Sequence, residues 1–235
     1  MDPPQRRRWH PLQDQVALDE ALAQAILAAA DRALGSRAQF HLVLAGGNTP
    51  RGAYRRLAEA KAGGPGWQIY FGDERCLPAD DRERNSWMAA DTWLGHVAIP
   101  KANVHAIPAE RGALQAAEDY AATLRATGTF DLVLLGLGED GHTASLFPGH
   151  EWGVAADAPD VLPVLDATKP PPQRVTLSAA RLSRAREVLF VVSGEGKHRA
   201  VAAWRAGADI PASAIVPGAG VDILVEAGLL KPLAD

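Results

Sequence analysis

Cysteine is almost missing from this chain: Cys76 is the only one in 235 residues. A lone thiol excludes an intramolecular disulfide and suits a reducing compartment, so a cytoplasmic protein is expected. No apolar run approaches the ~20 residues that span a bilayer, so no membrane is expected as a partner. An excess of either charge is missing too: 24 Lys and Arg against 28 Asp and Glu leave a net −4. That balance gives no general field for nucleic acid, and any anionic ligand must be held by a local cluster of donors. His10, His96, His105 and His150 have no partner at metal-ligand spacing, and neither His-x-x-x-His nor a cysteine pair occurs, so no metal is expected. The Walker loop and the dinucleotide fingerprint are absent. Ser145 is not in a Gly-x-Ser-x-Gly elbow, which argues against a serine hydrolase. Arg6, Arg7 and Arg8 run into Trp9-His10-Pro11, unlike a secretory signal, and residues 1–10 read as a flexible tail.

What is present is an ordinary globular composition, 47% hydrophobic, in a length that suits one α/β domain over residues 1–235. Ala- and Leu-rich Gln15–Leu34 reads as a helix, with Asp14 as N-cap and Gly35 as the stop. Phe40–Ala45 reads as a buried strand. Thr49-Pro50 then looks like an N-cap followed by proline at the first position of a helix reaching Lys61. Strands follow at Trp67–Phe71, Leu132–Leu137, Val188–Val192 and Asp222–Val225, with weaker ones at Val161–Leu165 and Arg174–Leu177 around Pro170-Pro171-Pro172. Helices are expected over Ser86–Leu94, Gly112–Ala126 and Glu195–Arg205. Strand–helix alternation of this kind predicts a Rossmann-like α/β fold, a mostly parallel sheet with helices on both faces.

Four segments that follow strands carry chemistry. Gly46-Gly47-Asn48-Thr49 joins a strand to a helix; its glycines let backbone N–H groups approach a phosphate at the helix start, although a plain connection would look similar. Gly72-Asp73-Glu74-Arg75 offers an arginine fork for phosphate and carboxylates to orient it or to handle protons; the competing reading is an exposed charged turn. In Gly138-Glu139-Asp140-Gly141-His142-Thr143-Ala144-Ser145, His142 is the candidate base, because an imidazole titrating near ~6.5 is usable at neutral pH. Asp140 and Glu139 are close enough to orient it; a structural histidine capping a turn is the alternative. Gly194-Glu195-Gly196-Lys197 opens a helix, where Lys197 is either a phosphate contact or a surface lysine. Arg174 is a further possible anion contact. All four segments can meet at one sheet edge, where open α/β sheets bind their ligands.

Leu44–Pro50, Phe71–Arg75, Asp131–Pro148 and Gly194–Lys197 resemble, in order and spacing, the 6-phosphogluconolactonase family. Gly-Leu-Gly-x-Asp-Gly-His-Thr-Ala-Ser-Leu-Phe-Pro is the most specific part. The family shares its Rossmann-like fold with the glucosamine-6-phosphate deaminases and isomerases. Those enzymes carry Asn-Glu where this chain has Leu146-Phe147, and Asp-Glu-Tyr where it has Asp73-Glu74-Arg75, so the lactonase branch is the nearer. The resemblance implies hydrolysis of 6-phospho-D-glucono-1,5-lactone in the oxidative pentose phosphate pathway, with no metal or organic cofactor. A phosphorylated sugar lactone is then the only partner expected, with the protein expected as a monomer or weak homo-oligomer. His142 would activate water, with Asp140 holding the imidazole and Asp73 as a further catalytic carboxylate. Gly46, Gly47, Asn48 and Thr49 would cradle the phosphate, with Arg75, Lys197 and Arg174 around it. A deaminase/isomerase or a non-catalytic sugar-phosphate sensor are the alternatives.

Overall fold

The computed structural model describes residues 5–232. The chain enters the fold as a strand, β1 (Arg7–Leu12), where a flexible tail was expected over residues 1–10. Tertiary pairing overrides the local sequence: β1 lies parallel to the last strand of the chain in the register Arg7↔Val221 to Leu12↔Glu226. Arg8 and His10 both bond to Asp222, and Pro11 is tolerated because β1 is an edge strand. Residues 1–4 of the expected tail lie outside the described residues. Asp14 then caps α1 (Gln15–Arg37) by accepting the Ala17 N–H at 2.9 Å. The helix runs past Gly35 and ends at Ala38, whose φ is 58°. Continuing it brings Arg37 to the buried Asp131 carboxylate at 2.6 Å.

The chain continues through β2 (Phe40–Leu44), α2 (Arg51–Glu59), β3 (Trp67–Phe71), β4 (Asp73–Arg75), α3 (Asn85–Thr92), β5 (Val104–His105), α4 (Ala113–Leu124) and β6 (Phe130–Gly136). It ends with β7 (Val161–Val164), β8 (Arg174–Leu177), α5 (Ala179–Ser183), β9 (Ala185–Val192), α6 (His198–Arg205) and β10 (Val221–Glu226). Pro50, not Thr49, takes the N-cap position of α2. A 3₁₀ turn over Glu195–Lys197 replaces the first turn of the expected last helix.

Seven strands make a wholly parallel sheet in the order β1-β10-β9-β6-β2-β3-β5. Its strands are near-continuous apolar runs, such as Leu132–Leu135 and Val188–Val192, because helices cover both faces. On one face Trp204 of α6 meets Phe190 and Trp9 edge-on, with ring centroids 4.7 and 5.3 Å away. On the other, Arg32 of α1 reaches Glu187 at 2.7 Å. The two weaker strands belong instead to a second sheet, antiparallel, ordered β4-β8-β7. No helix among the described residues is long and apolar enough to cross a membrane.

From β2 the chain moves outward to β3 and β5; from its neighbour β6 it moves outward the other way, to β9 and β10. The loops leaving β2 and β6 therefore diverge and open a crevice between them. Two buried tyrosines hold that end of the sheet: Tyr54 Oη donates to the Ala45 carbonyl at 2.9 Å, and Tyr120 Oη bridges the Phe71 N–H and carbonyl.

Candidate active site

The crevice is a cavity of about 190 Å³. Gly46, Gly47, Asn48 and Thr49 line it after β2, Asp73 and Arg75 from β4, His142 after β6, Arg174 from β8, and Lys197 from the turn before α6. Nine of the ten residues proposed from sequence thus share one cavity, and the tenth, Asp140, touches it through His142.

After β6 the chain makes a tight turn closed by a Gly138 N–H bond to the His142 carbonyl, 2.7 Å long. A Cβ on Gly138 would stand 2.0 Å from His142 Nδ1, so glycine here is what lets the imidazole fold back over the turn. Asp140 Oδ1 accepts from the His142 backbone N–H at 3.2 Å and lies 2.5 Å from Nδ1. This engages Nδ1 and leaves Nε2 as the ring nitrogen able to accept a proton. Phe147 supports the ring, with centroids 4.8 Å apart. Burial lowers the His142 pKa, and the Asp140 charge and hydrogen bond pull it partly back up. Burial pushes the Asp140 carboxyl up, but the His142 charge and hydrogen bonds outweigh it, and its pKa lies below the ordinary value. An ionised carboxylate therefore holds a neutral imidazole at neutral pH. Glu139 does not orient the ring: its carboxylate lies beside Gly196 and 4.0 Å from Lys169 Nζ.

Gly72-Asp73-Glu74-Arg75 is not an exposed turn. Asp73 is 7% exposed and Glu74 fully buried, because Asp73–Arg75 pairs with β8 in the register Asp73↔Thr176, Glu74↔Val175 and Arg75↔Arg174. The two carboxylates part ways. Glu74 turns away to cap α3, accepting from the N–H groups of Asn85 and Ser86 and from Ser86 Oγ, each at 2.8 Å. Asp73 faces the cavity, with Oδ1 receiving Asn85 Nδ2 at 3.0 Å and Oδ2 receiving Ser145 Oγ at 2.6 Å.

The cations differ in freedom. Arg75 donates Nη1 to the Glu83 carbonyl, while its buried Nε has no partner. Arg174 donates Nε to the Pro171 carbonyl and Nη2 to those of Lys169 and Pro170, so two of its nitrogens hold the proline segment. Burial lowers the pKa of the Lys197 ammonium, and Glu139 pulls it back up. Cys76 is partly buried, and burial raises its thiol pKa, which argues against a nucleophile.

A family model described as glucosamine-6-phosphate isomerases/6-phosphogluconolactonase matches residues 13–224. The chain belongs to that family. It is 40% identical over 222 residues to the 6-phosphogluconolactonase of Mycobacterium tuberculosis, covering 88% of each chain. It is 42% identical over 192 residues to that of Homo sapiens, covering 77% of this chain and 74% of the other. A 6-phosphogluconolactonase structure from Thermotoga maritima superposes with a TM-score of 0.86 at 27% identity, covering 94% of this chain and all of that one.

Within this glucosamine-6-phosphate isomerase/6-phosphogluconolactonase family, the site holds three residues that sequence reasoning passed over as machinery: Asn85, Ser145 and Thr176. Ser145 Oγ holds Asp73, and its N–H bonds to Thr176 Oγ1 at 3.2 Å. Ser145 sat inside the recognised motif and Thr176 in an expected strand, but neither spacing nor composition announces a partnership with Asp73. Asn85 opens α3, one residue before the helix expected from Ser86, and carries no sequence signal.

Proposed function

We infer that this protein hydrolyses 6-phospho-D-glucono-1,5-lactone to 6-phospho-D-gluconate, with His142 as the general base. The observation that carries the reading is the Asp140–His142 pair at the mouth of a crevice lined by the Gly46–Thr49 turn, Arg75 and Lys197. His142 Nε2 removes a proton from water as the water oxygen attacks the lactone carbonyl, and Asp140 stabilises the imidazolium that forms. The tetrahedral intermediate collapses with cleavage of the ring C–O bond. The departing ring oxygen takes the proton from His142, leaving a carboxylic acid that ionises and a free hydroxyl.

The phosphate sits on the backbone N–H groups of the Gly46–Thr49 turn, with Arg75 and Lys197 against it; this remote binding orients the reacting ring. Where deaminases resembling this chain carry Asn-Glu, Leu146 and Phe147 are buried, and Phe147 packs on the His142 ring. The imidazole thus lacks the second carboxylate of that branch, which supports hydrolysis over deamination. The single cysteine supports a cytoplasmic setting, and we take the monomer or a weak homo-oligomer as the working unit.

The test is proton release from freshly made 6-phosphogluconolactone, corrected for spontaneous opening, with ammonia release from glucosamine 6-phosphate as the control. His142→Ala loses about 10²–10⁴-fold in kcat with an unchanged melting profile. Undiminished lactone hydrolysis by that variant removes His142 from the mechanism.

A further inference from the structure

A phosphorylated sugar lactone presents ring hydroxyls between its phosphate and its reacting carbonyl. A pocket that hydrogen-bonds such a hydroxyl rejects analogues that lack it. The residue placed for this is Asn85, at the start of α3 and 4% exposed. Its Nδ2 donates to the Asp73 carbonyl at 2.9 Å and to Asp73 Oδ1 at 3.0 Å. A carbonyl and a carboxylate only accept, so the amide cannot be turned the other way round. Its N–H is bound to Glu74 Oε1 at 2.8 Å, which pins the backbone as well.

Asn85 Oδ1 must therefore point away from Asp73, and it lies against the turn expected to hold phosphate. A Cβ on Gly46 would stand 2.0 Å from it. Asn85 lines the cavity together with Gly46, Asp73 and His142. Among the described residues no donor reaches Oδ1, and it is not one of the atoms sealed from solvent. An amide oxygen that faces the cavity with no protein donor is free to accept from a bound hydroxyl.

We propose that Asn85 reads the substrate: its Oδ1 accepts a hydrogen bond from one ring hydroxyl of the phosphorylated lactone, midway between the phosphate turn and the carbonyl under attack. The same amide holds Asp73 through Nδ2, so the bound hydroxyl and the Asp73 carboxylate are positioned by one rigid group. The inference rests on the lactonase reading above.

The experiment compares kcat/KM for 6-phosphogluconolactone and for its 2-, 3- and 4-deoxy analogues, in the native enzyme, in Asn85→Ala and in Asn85→Ser, with melting profiles recorded alongside. In the native enzyme, one analogue is slower by about tenfold. In the variants the parent lactone slows by a similar factor, and the penalty for that one analogue disappears. A purely structural Asn85 would slow all four substrates alike and leave the penalty intact, which overturns the proposal. A native enzyme that hydrolyses all four equally overturns it without any variant. Failure to hydrolyse the parent lactone at all would instead refute the reading of the site as a lactonase.

Discussion

Replacing Asp140 by asparagine separates the charge of the carboxylate from its geometry. Asp140 Oδ1 lies 2.5 Å from His142 Nδ1 and also takes the His142 N–H, and an amide oxygen in the same place still accepts both protons. Ring orientation and tautomer survive; the negative charge does not. Unit charges about 4 Å apart attract by roughly 1 kcal/mol in water and roughly 4 kcal/mol at an effective dielectric of 20. Asp140 is 34% exposed and His142 19% exposed, so we place the imidazolium stabilisation between those limits, at about 2 kcal/mol. With the proton half transferred in the transition state, about half of that is lost, and kcat falls roughly fivefold to tenfold. Asp140→Ala loses the orientation too and falls by about 10²-fold or more. The pH dependence supplies a second readout. The base works only when neutral, so activity is lost as pH falls through the pKa of His142, which burial already lowers and which Asp140 raises. Removing the Asp140 charge takes away the raising influence, so the acid limb of the asparagine variant moves further down in pH. The assay is proton release on fresh lactone across the pH range. A full native rate in Asp140→Asn, or an acid limb displaced upward, refutes the reasoning.

Arg75→Ala should raise KM for the phosphorylated lactone by about tenfold while leaving the unphosphorylated gluconolactone unaffected; equal losses on both substrates would take Arg75 out of the phosphate site. Gly138→Ala should cut kcat by at least tenfold, because the added methyl occupies the place of His142 Nδ1. An unaltered kcat in that variant would show that the ring has another productive position.

The parallel sheet is legible because burial on both faces leaves its strands as apolar runs bounded by glycine loops. Trp67–Phe71 falls where the sequence places it, to the residue. The crevice is legible for the same reason, since its loops follow those strands. What stays hidden depends on partners distant in sequence. Arg7–Leu12 has the composition of a solvated tail and becomes a strand through Asp222 and Trp204, more than 190 residues away. Asp73-Glu74-Arg75 has poor strand propensity, and it pairs with β8 because donors from α3 and Ser145 satisfy both buried carboxylates. A charged tripeptide looks the same in sequence whether those donors exist or not.

The small antiparallel sheet explains why the cations of the site are where they are. Its register sets Arg75 directly opposite Arg174, and like charges opposed across two strands oppose folding. Burial lowers the pKa of Arg174; the Asp73 charge opposes that shift, and Arg75 adds to it. Carbonyls of Lys169, Pro170 and Pro171 solvate Arg174 without neutralising it. Glu74, the nearest carboxylate in sequence, is committed to α3, and Asp73 is shared with Asn85 and Ser145. The protein therefore lines one crevice with two opposed guanidiniums and the Lys197 ammonium, within a chain of net charge −4. On the proposed phosphate site, a bound dianion would add to the attraction of Asp73 and Glu74, which already offsets part of the Arg75–Arg174 repulsion. We propose that phosphate affinity rests on the β4–β8 pairing as much as on the glycine turn.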